Sequence, residues 1–358
     1  MTAARRLVDT LRDPRAASGF GARHWNGLIA AARAERLIGA LADRLDGRGV
    51  PDEVAAVLAD ARSAAEQERR AALWEADCAR RALADYEGKA VLLKGTAYVA
   101  ADLAAGRGRS IGDLDLLVAE DDLEKVEAAL LGAGWEWVKE NAYDDQYYRR
   151  WMHELPPLIH RTRDRMIDVH HTILPRTARP TPDAKAMLGS AIALEPDAEQ
   201  KGVRLAKFSS WHGLHVLSPA DMVVHSIAHL FADGELDGGL RNLWDIDRML
   251  REFAVAPNFW DALAVRARRH QLLPFVRRAL RLSERIYGTP VDGKLKGKPS
   301  PFDPWYEKRL MARDGWGRPT RRWLRFAFTL RGHWLRMPPI MLARHLWTKW
   351  RRGRERSA

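Results

Sequence analysis

Cysteine is almost absent: Cys78 is the single one in 358 residues. That excludes a disulfide framework and any thiolate-held zinc or iron–sulfur centre, and it suits a reducing cytoplasm. Long apolar runs are missing too. No stretch approaches the roughly 18 uninterrupted apolar residues of a bilayer span. The opening MTAARRLVDTLRDPRAASG holds no apolar run of the kind that marks a secretory leader. The expected location is therefore the cytoplasm. Internal repeats and low-complexity blocks are not seen. Neither is a G-x-x-x-x-G-K-[ST] loop nor an H-R-D or D-F-G signature, which argues against kinase-type phosphoryl transfer.

What the chain does have is enough apolar sequence to bury a core and too much charge in one place. Apolar residues make up 46 % and charged residues 30 %, which excludes wholesale disorder. At roughly 100–200 residues per domain the length predicts two or three units. The formal net charge is +12, yet the last 58 residues alone carry 15 basic and 4 acidic side chains. A local basic arm points to an anionic partner.

Texture divides the chain into four parts. Residues 1–87 are rich in Ala, Leu, Arg and Glu, with apolar spacings of three and four that predict helices broken at Gly47–Pro51. From residue 88 to 175 short apolar runs alternate with helix-like sequence: AVLLK (90–94), LDLLV (114–118), WEWV (135–138), ELPPLIH (154–160) and MIDVHHTIL (166–174). A polar aromatic stretch lies around Tyr143–Trp151. Strands interleaved with a few helices predict a mixed α/β, α+β sheet domain flanked by helical regions on both sides. Residues 176–290 read as a linker with a short helix, then a helical region in which Ser218-Pro219 caps the first helix. Residues 291–358 open on the Gly/Pro/Lys-dense GTPVDGKLKGKPSPFDP (288–304), an expected exposed linker, and end in an Arg/Trp-rich tail.

Three pieces carry chemistry: Lys94-Gly95-Thr96, Arg109-Ser110-Ile111-Gly112-Asp113-Leu114-Asp115, and Asp168-Val169-His170. Side chains alternate along a strand, so Asp113 and Asp115 share a face if extended, and so do Asp168 and His170. Three carboxylates at strand ends suit hard cations such as Mg²⁺, which favour oxygen ligands and keep places open for phosphate. Each piece alone is weak. A lone D-x-D is often a solvated turn, and a lone K-G-T ends many helices and strands.

The order of the pieces is more telling. It resembles the nucleotidyltransferase superfold of DNA polymerase β-like enzymes, and more narrowly the bacterial "uncharacterised nucleotidyltransferase" family. The likeness rests on VLLKGTAY (91–98), RSIGDLDLLV (109–118) and MIDVHHTIL (166–174), with a weaker match through PADMVVHSIAHL and LWDIDRML (219–250). It implies a nucleotidyltransferase core over 88–175. It implies that Asp113, Asp115 and Asp168 hold Mg²⁺ or Mn²⁺, with Asp168 also orienting or deprotonating the acceptor. Gly95 and Thr96 would contact the phosphates of an NTP such as ATP, while Lys94 and Arg109 offset triphosphate charge; Ser110 and His170 belong to the same nucleotide-binding set. The spacing from Gly95-Thr96 to Asp113 is longer than in the compact superfamily motif. The implied reaction moves a nucleoside monophosphate from an NTP to an acceptor hydroxyl or phosphate and releases pyrophosphate. A protein, a peptide, an RNA end or a saccharide would each serve as acceptor.

Three further features have two readings each. His225 and His229 lie four apart on a helix one turn after Asp221, as a metal stripe or as hydrogen-bonding groups in a helical interface. Arg241 and Asp245 have the spacing of a surface ion pair. In the tail (318–358) arginines interleave with Trp, Phe and Leu. That pattern fits an anionic membrane surface held peripherally, a nucleic acid, or a helical pair packed on the chain's own body. The competing functional class is accordingly a non-catalytic polyanion- or membrane-surface-binding protein on the same fold.

Overall fold

The computed structural model of the protein describes residues 2–138, 148–194, 213–233 and 236–336. Most of the aromatic stretch from Tyr143, the end of the 176–200 segment and the tail beyond Arg336 lie outside the described residues. The architecture is α+β: helices flank one mixed sheet of seven strands.

The N-terminal part is helical, as its periodicity predicts. Helices Ala3–Arg12, Ala22–Ala34 and Ile38–Arg44 precede the long helix Asp52–Ala82. That last helix starts directly after Pro51 with Asp52 and Glu53 in its first turn, where the helix dipole favours negative charge. It buries Val54, Leu58, Ala65, Ala72, Leu73, Ala76 and Ala79 along one stripe.

The strands are β1 (Ala90–Leu92), β2 (Leu114–Leu117), β3 (Trp135–Trp137), β4 (Leu158–His160), β5 (Met166–His170), β6 (Ile192–Ala193) and β7 (Leu214–Val216). Their spatial order is β3-β4-β5-β2-β1-β7-β6. β1 runs antiparallel to β2, with Leu92 opposite Leu116, while β5 runs parallel to β2 on the other side. The central strands are apolar on both faces because helices cover both sides, so Val91, Leu92, Leu116, Leu117 and Val169 are all buried. β6 and β7 bring residues from beyond 175 into the sheet, with β7 parallel to β1. At two and three residues they are too short to show a period in sequence.

The C-terminal half is again helical. Ser218 caps Pro219–Ile227 by accepting from the Asp221 amide, and the helix continues as a π-helical turn, Ala228–Asp233. Gly239–Phe253, Phe259–Arg269, Leu273–Tyr287, Asp303–Leu310 and Arg322–Arg336 follow. The Gly/Pro/Lys segment between them is mostly exposed or half-buried, as expected, but it is tied down at a few positions. Asp292 caps a short helix, Gly293–Lys296, whose Leu295 is buried. Thr289, 1 % exposed, donates to Asp247 Oδ1 at 2.6 Å, and Arg281 donates to the Lys296 carbonyl. Composition reports backbone freedom; it does not report the tertiary partners that remove it.

Two glycines join the N-terminal helices to the loop that precedes β2. A Cβ on Gly39 would lie 2.4 Å from the Gly108 carbonyl oxygen, and one on Gly108 would lie 2.3 Å from the Gly39 backbone. Gly108 also has φ +63°, a region that L side chains rarely adopt. Gly108→Ala is therefore expected to destabilise by at least about 1–3 kcal/mol in thermal unfolding. Gly112→Ala, with open space around it, should change stability little.

Candidate functional site

The sheet register builds the site. β2 and β5 align so that Asp115 stands directly opposite Asp168, and Asp113 sits two residues earlier, at the entry to β2. One oxygen from each of the three carboxylates lies within 4.8 Å of the other two. Asp113 is exposed, Asp115 is 2 % exposed and Asp168 is half-buried. The trio therefore runs from solvent inward.

β1 supplies the countercharge. The Leu93 amide donates to the Asp115 carbonyl, and the chain then turns at Lys94, which has φ +47° and opens helix Lys94–Ala100. A non-glycine residue in the left-handed region is uncommon, and such strain gathers at functional sites. The bend places Lys94 Nζ 2.5 Å from Asp115 Oδ1. His170 Nε2 sits 3.0 Å from the same oxygen.

Burial opposes the charge on Asp115, but Lys94 and the His170 hydrogen bond outweigh it and hold its carboxyl well below the usual range. Burial likewise works against the Lys94 ammonium, and Asp115 reverses the balance, so its pKa rises. Asp168 goes the other way. Its desolvation, reinforced by the charges of Glu154 and Asp115, pushes it up to about 7.

The remaining expected residues fall into two groups. His170, 1 % exposed, joins the carboxylates directly. Lys94 joins them too. Gly95 packs beneath Arg109: a Cβ there would lie 2.0 Å from the guanidinium. Thr96 is 1 % exposed, with a hydroxyl that has no hydrogen-bond partner among the described residues. Arg109 donates to Asp245 Oδ2 at 2.9 Å and lies over the Tyr98 ring at 5.2 Å, while Ser110 is half-buried beside it on the loop.

That pairing overturns the expected Arg241–Asp245 surface pair. Asp245 is 2 % exposed and takes Arg109 from a distant loop, whereas Arg241 reaches Asn242. The helical spacing was right, but tertiary packing placed that face inside. The Asp221–His225–His229 stripe is also divided. Asp221 is bound by Arg266 at 2.5 Å and His270 at 3.1 Å, with Ser190 and Ser218 on its other oxygen. His225 and His229 instead come within the field of Lys94; burial first, then that ammonium, lowers both, His229 to about 3.

Sequence reasoning passed over Glu154 and His153. Residues 153–155 run beside β5: the His171 amide donates to the His153 carbonyl, and the Leu155 amide to that of Val169. This brings Glu154 Oε2 to 3.5 Å from His170 Nδ1. No spacing in the sequence announces it, because the pairing joins segments some fifteen residues apart.

The profile described as an uncharacterised nucleotidyltransferase matches residues 21–288. The chain belongs to that family. No curated protein matches it. The matched range of this nucleotidyltransferase-family chain takes in the three carboxylates, the Lys94 bend, most of the N-terminal helices, and the sheet with the helices that follow it as far as Tyr287.

A pH test isolates Asp168. In the unfolded chain its carboxyl ionises near 3.8, whereas in the folded chain it keeps its proton up to about 7. The native state thus binds more protons between those values. Its contribution to stability is full below about pH 4 and lost as pH rises through about 7. In the presence of a chelator, Asp168→Asn should melt higher than wild type above about pH 7, with the gap closing towards about pH 4. A gap that does not vary with pH would contradict the assignment.

Proposed function

We propose that this protein is a metal-dependent nucleotidyltransferase. An acceptor hydroxyl or phosphate oxygen attacks the α-phosphorus of an NTP. The new oxygen–phosphorus bond forms as the bond to the β-phosphate oxygen breaks, and pyrophosphate leaves. The observation that carries this reading is the group of three carboxylates on adjacent parallel strands.

The donor set suits a divalent cation. All three ligands are carboxylates, as Mg²⁺ or Mn²⁺ prefers. Burial, with the charges of Glu154 and Asp115, pushes the Asp168 carboxyl up to about 7, a repulsion that a cation between the carboxylates would relieve. Asp113, Asp115 and Asp168 would hold the ion, which when bound supplies charge neutralisation for the triphosphate and the attacking oxygen.

The protein's own groups do the rest. Asp168, opposite Asp115 on the neighbouring strand, would orient or deprotonate the acceptor. His170 fixes the rotamer of Asp115. Lys94 faces the phosphates at the bend, with Gly95, Thr96 and Ser110 around it. Arg109 acts through Asp245 to hold the loop that leads into β2.

Incubation with α-labelled NTPs, Mg²⁺ and a cell lysate should label an acceptor and release pyrophosphate. Asp113→Ala or Asp115→Ala should lower labelling by at least about 100-fold while circular dichroism stays unchanged. A parallel incubation in which γ-labelled but not α-labelled NTP labels the acceptor would refute the reading.

A second reading adds an anionic membrane surface as a partner. Helix Arg322–Arg336 buries Leu324 and Phe328, with Phe328 4.9 Å from the Tyr306 ring. Its outer face exposes Trp323, Phe326, Leu330 and Trp334 at spacings of three and four, among arginines. No described helix is long and apolar enough to cross a membrane. Such a face favours peripheral contact with anionic lipid. The Trp323→Ser/Trp334→Ser double variant should cut co-sedimentation with phosphatidylserine vesicles at least about tenfold, at about 1.4 kcal/mol per tenfold change.

A further inference from the structure

We propose that His153, Glu154 and His170 form a zinc site beside the aspartate trio. One donor atom from each of these residues lies within 4.8 Å of the other two. Glu154 Oε2 is 3.5 Å from His170 Nδ1 and 3.5 Å from His153 Nε2.

Those distances are too long for charge-assisted hydrogen bonds, which run about 2.7–2.9 Å. They match the edge of a tetrahedron around zinc. With metal–ligand bonds of about 2.0–2.1 Å, neighbouring ligand atoms lie about 3.3–3.4 Å apart. Two imidazoles and one carboxylate are a donor set that zinc accepts, leaving a fourth place open.

An independent observation points into the same space. His170 is 1 % exposed and its Nδ1 has no hydrogen-bond partner among the described residues. An orphaned nitrogen at that depth is destabilising unless something binds it. His170 is also held as a metal ligand usually is, with its other ring nitrogen 3.0 Å from a carboxylate, Asp115. The two clusters thus share one histidine–aspartate bond but differ in chemistry. The trio is all oxygen and suits Mg²⁺, while the histidine pair draws a softer ion. Zinc here would clamp residues 153–154 to β5 and set the ring that orients Asp115.

The inference stands apart from the transferase reading, because its readout is metal binding alone. Full-length protein, stripped with a chelator and returned to excess Mg²⁺, is titrated with Zn²⁺ against a chromophoric chelator and, separately, with Co²⁺. The expected result is one Zn²⁺ per chain and the intense visible absorption of tetrahedral Co²⁺. His153→Ala and Glu154→Gln should each weaken zinc by at least about 100-fold, and Asp113→Asn should leave it unchanged. Wild-type protein that fails to take up zinc in Mg²⁺ would overturn the proposal without reference to any variant. So would zinc binding that survives in both cluster variants or is lost in Asp113→Asn.

Discussion

A buried and a half-buried carboxylate facing each other across a pair of parallel strands set the terms for everything around them. Asp115 and Asp168 share a register position on β2 and β5, and both cannot remain charged in that surrounding without help. The structure resolves the conflict unequally. Asp115 receives Lys94 and His170 and stays ionised, while Asp168 receives further negative charge from Glu154 and holds its proton to about 7. One carboxylate is held as an anion while burial and neighbouring negative charge raise the pKa of the other.

The rest of the fold keeps that arrangement rigid. β1 must end at Leu92 so that Lys94 can bend back to Asp115, and the left-handed backbone at Lys94 is tolerated because the buried strand and helix on either side fix it. The loop entering β2 is pinned twice. Gly108 lies against Gly39 from the N-terminal helices, and Arg109 reaches Asp245 in the C-terminal helical half. A buried pair of this kind adds little net stability, but losing either partner would strand a charge. Both helical regions therefore serve the sheet, and the family match over residues 21–288 takes in parts of both.

Much of this was legible in the chain. Apolar runs at 90–94, 114–118 and 166–174 became β1, β2 and β5, because central strands covered on both faces need continuous apolar sequence. The Asp-x-Asp and Asp-x-His spacings placed side chains on common strand faces. The unread parts have a common cause. β6 and β7 are too short to show periodicity, the 288–304 segment is held by partners such as Asp247 and Arg281, and Asp245 finds Arg109 from 136 residues away. Glu154 reaches His170 only because β5 has an irregular neighbour.

The sequence by itself determined which elements form and which chemical groups are available, since periodicity, capping and residue type act over a few positions. It marked Asp113, Asp115, Asp168, Lys94 and His170 as candidates. Only the tertiary structure decided their states. Whether an aspartate is an anion or an acid depends on burial and on charges brought from other strands and helices, and those distances are set by sheet register and packing rather than by order along the chain.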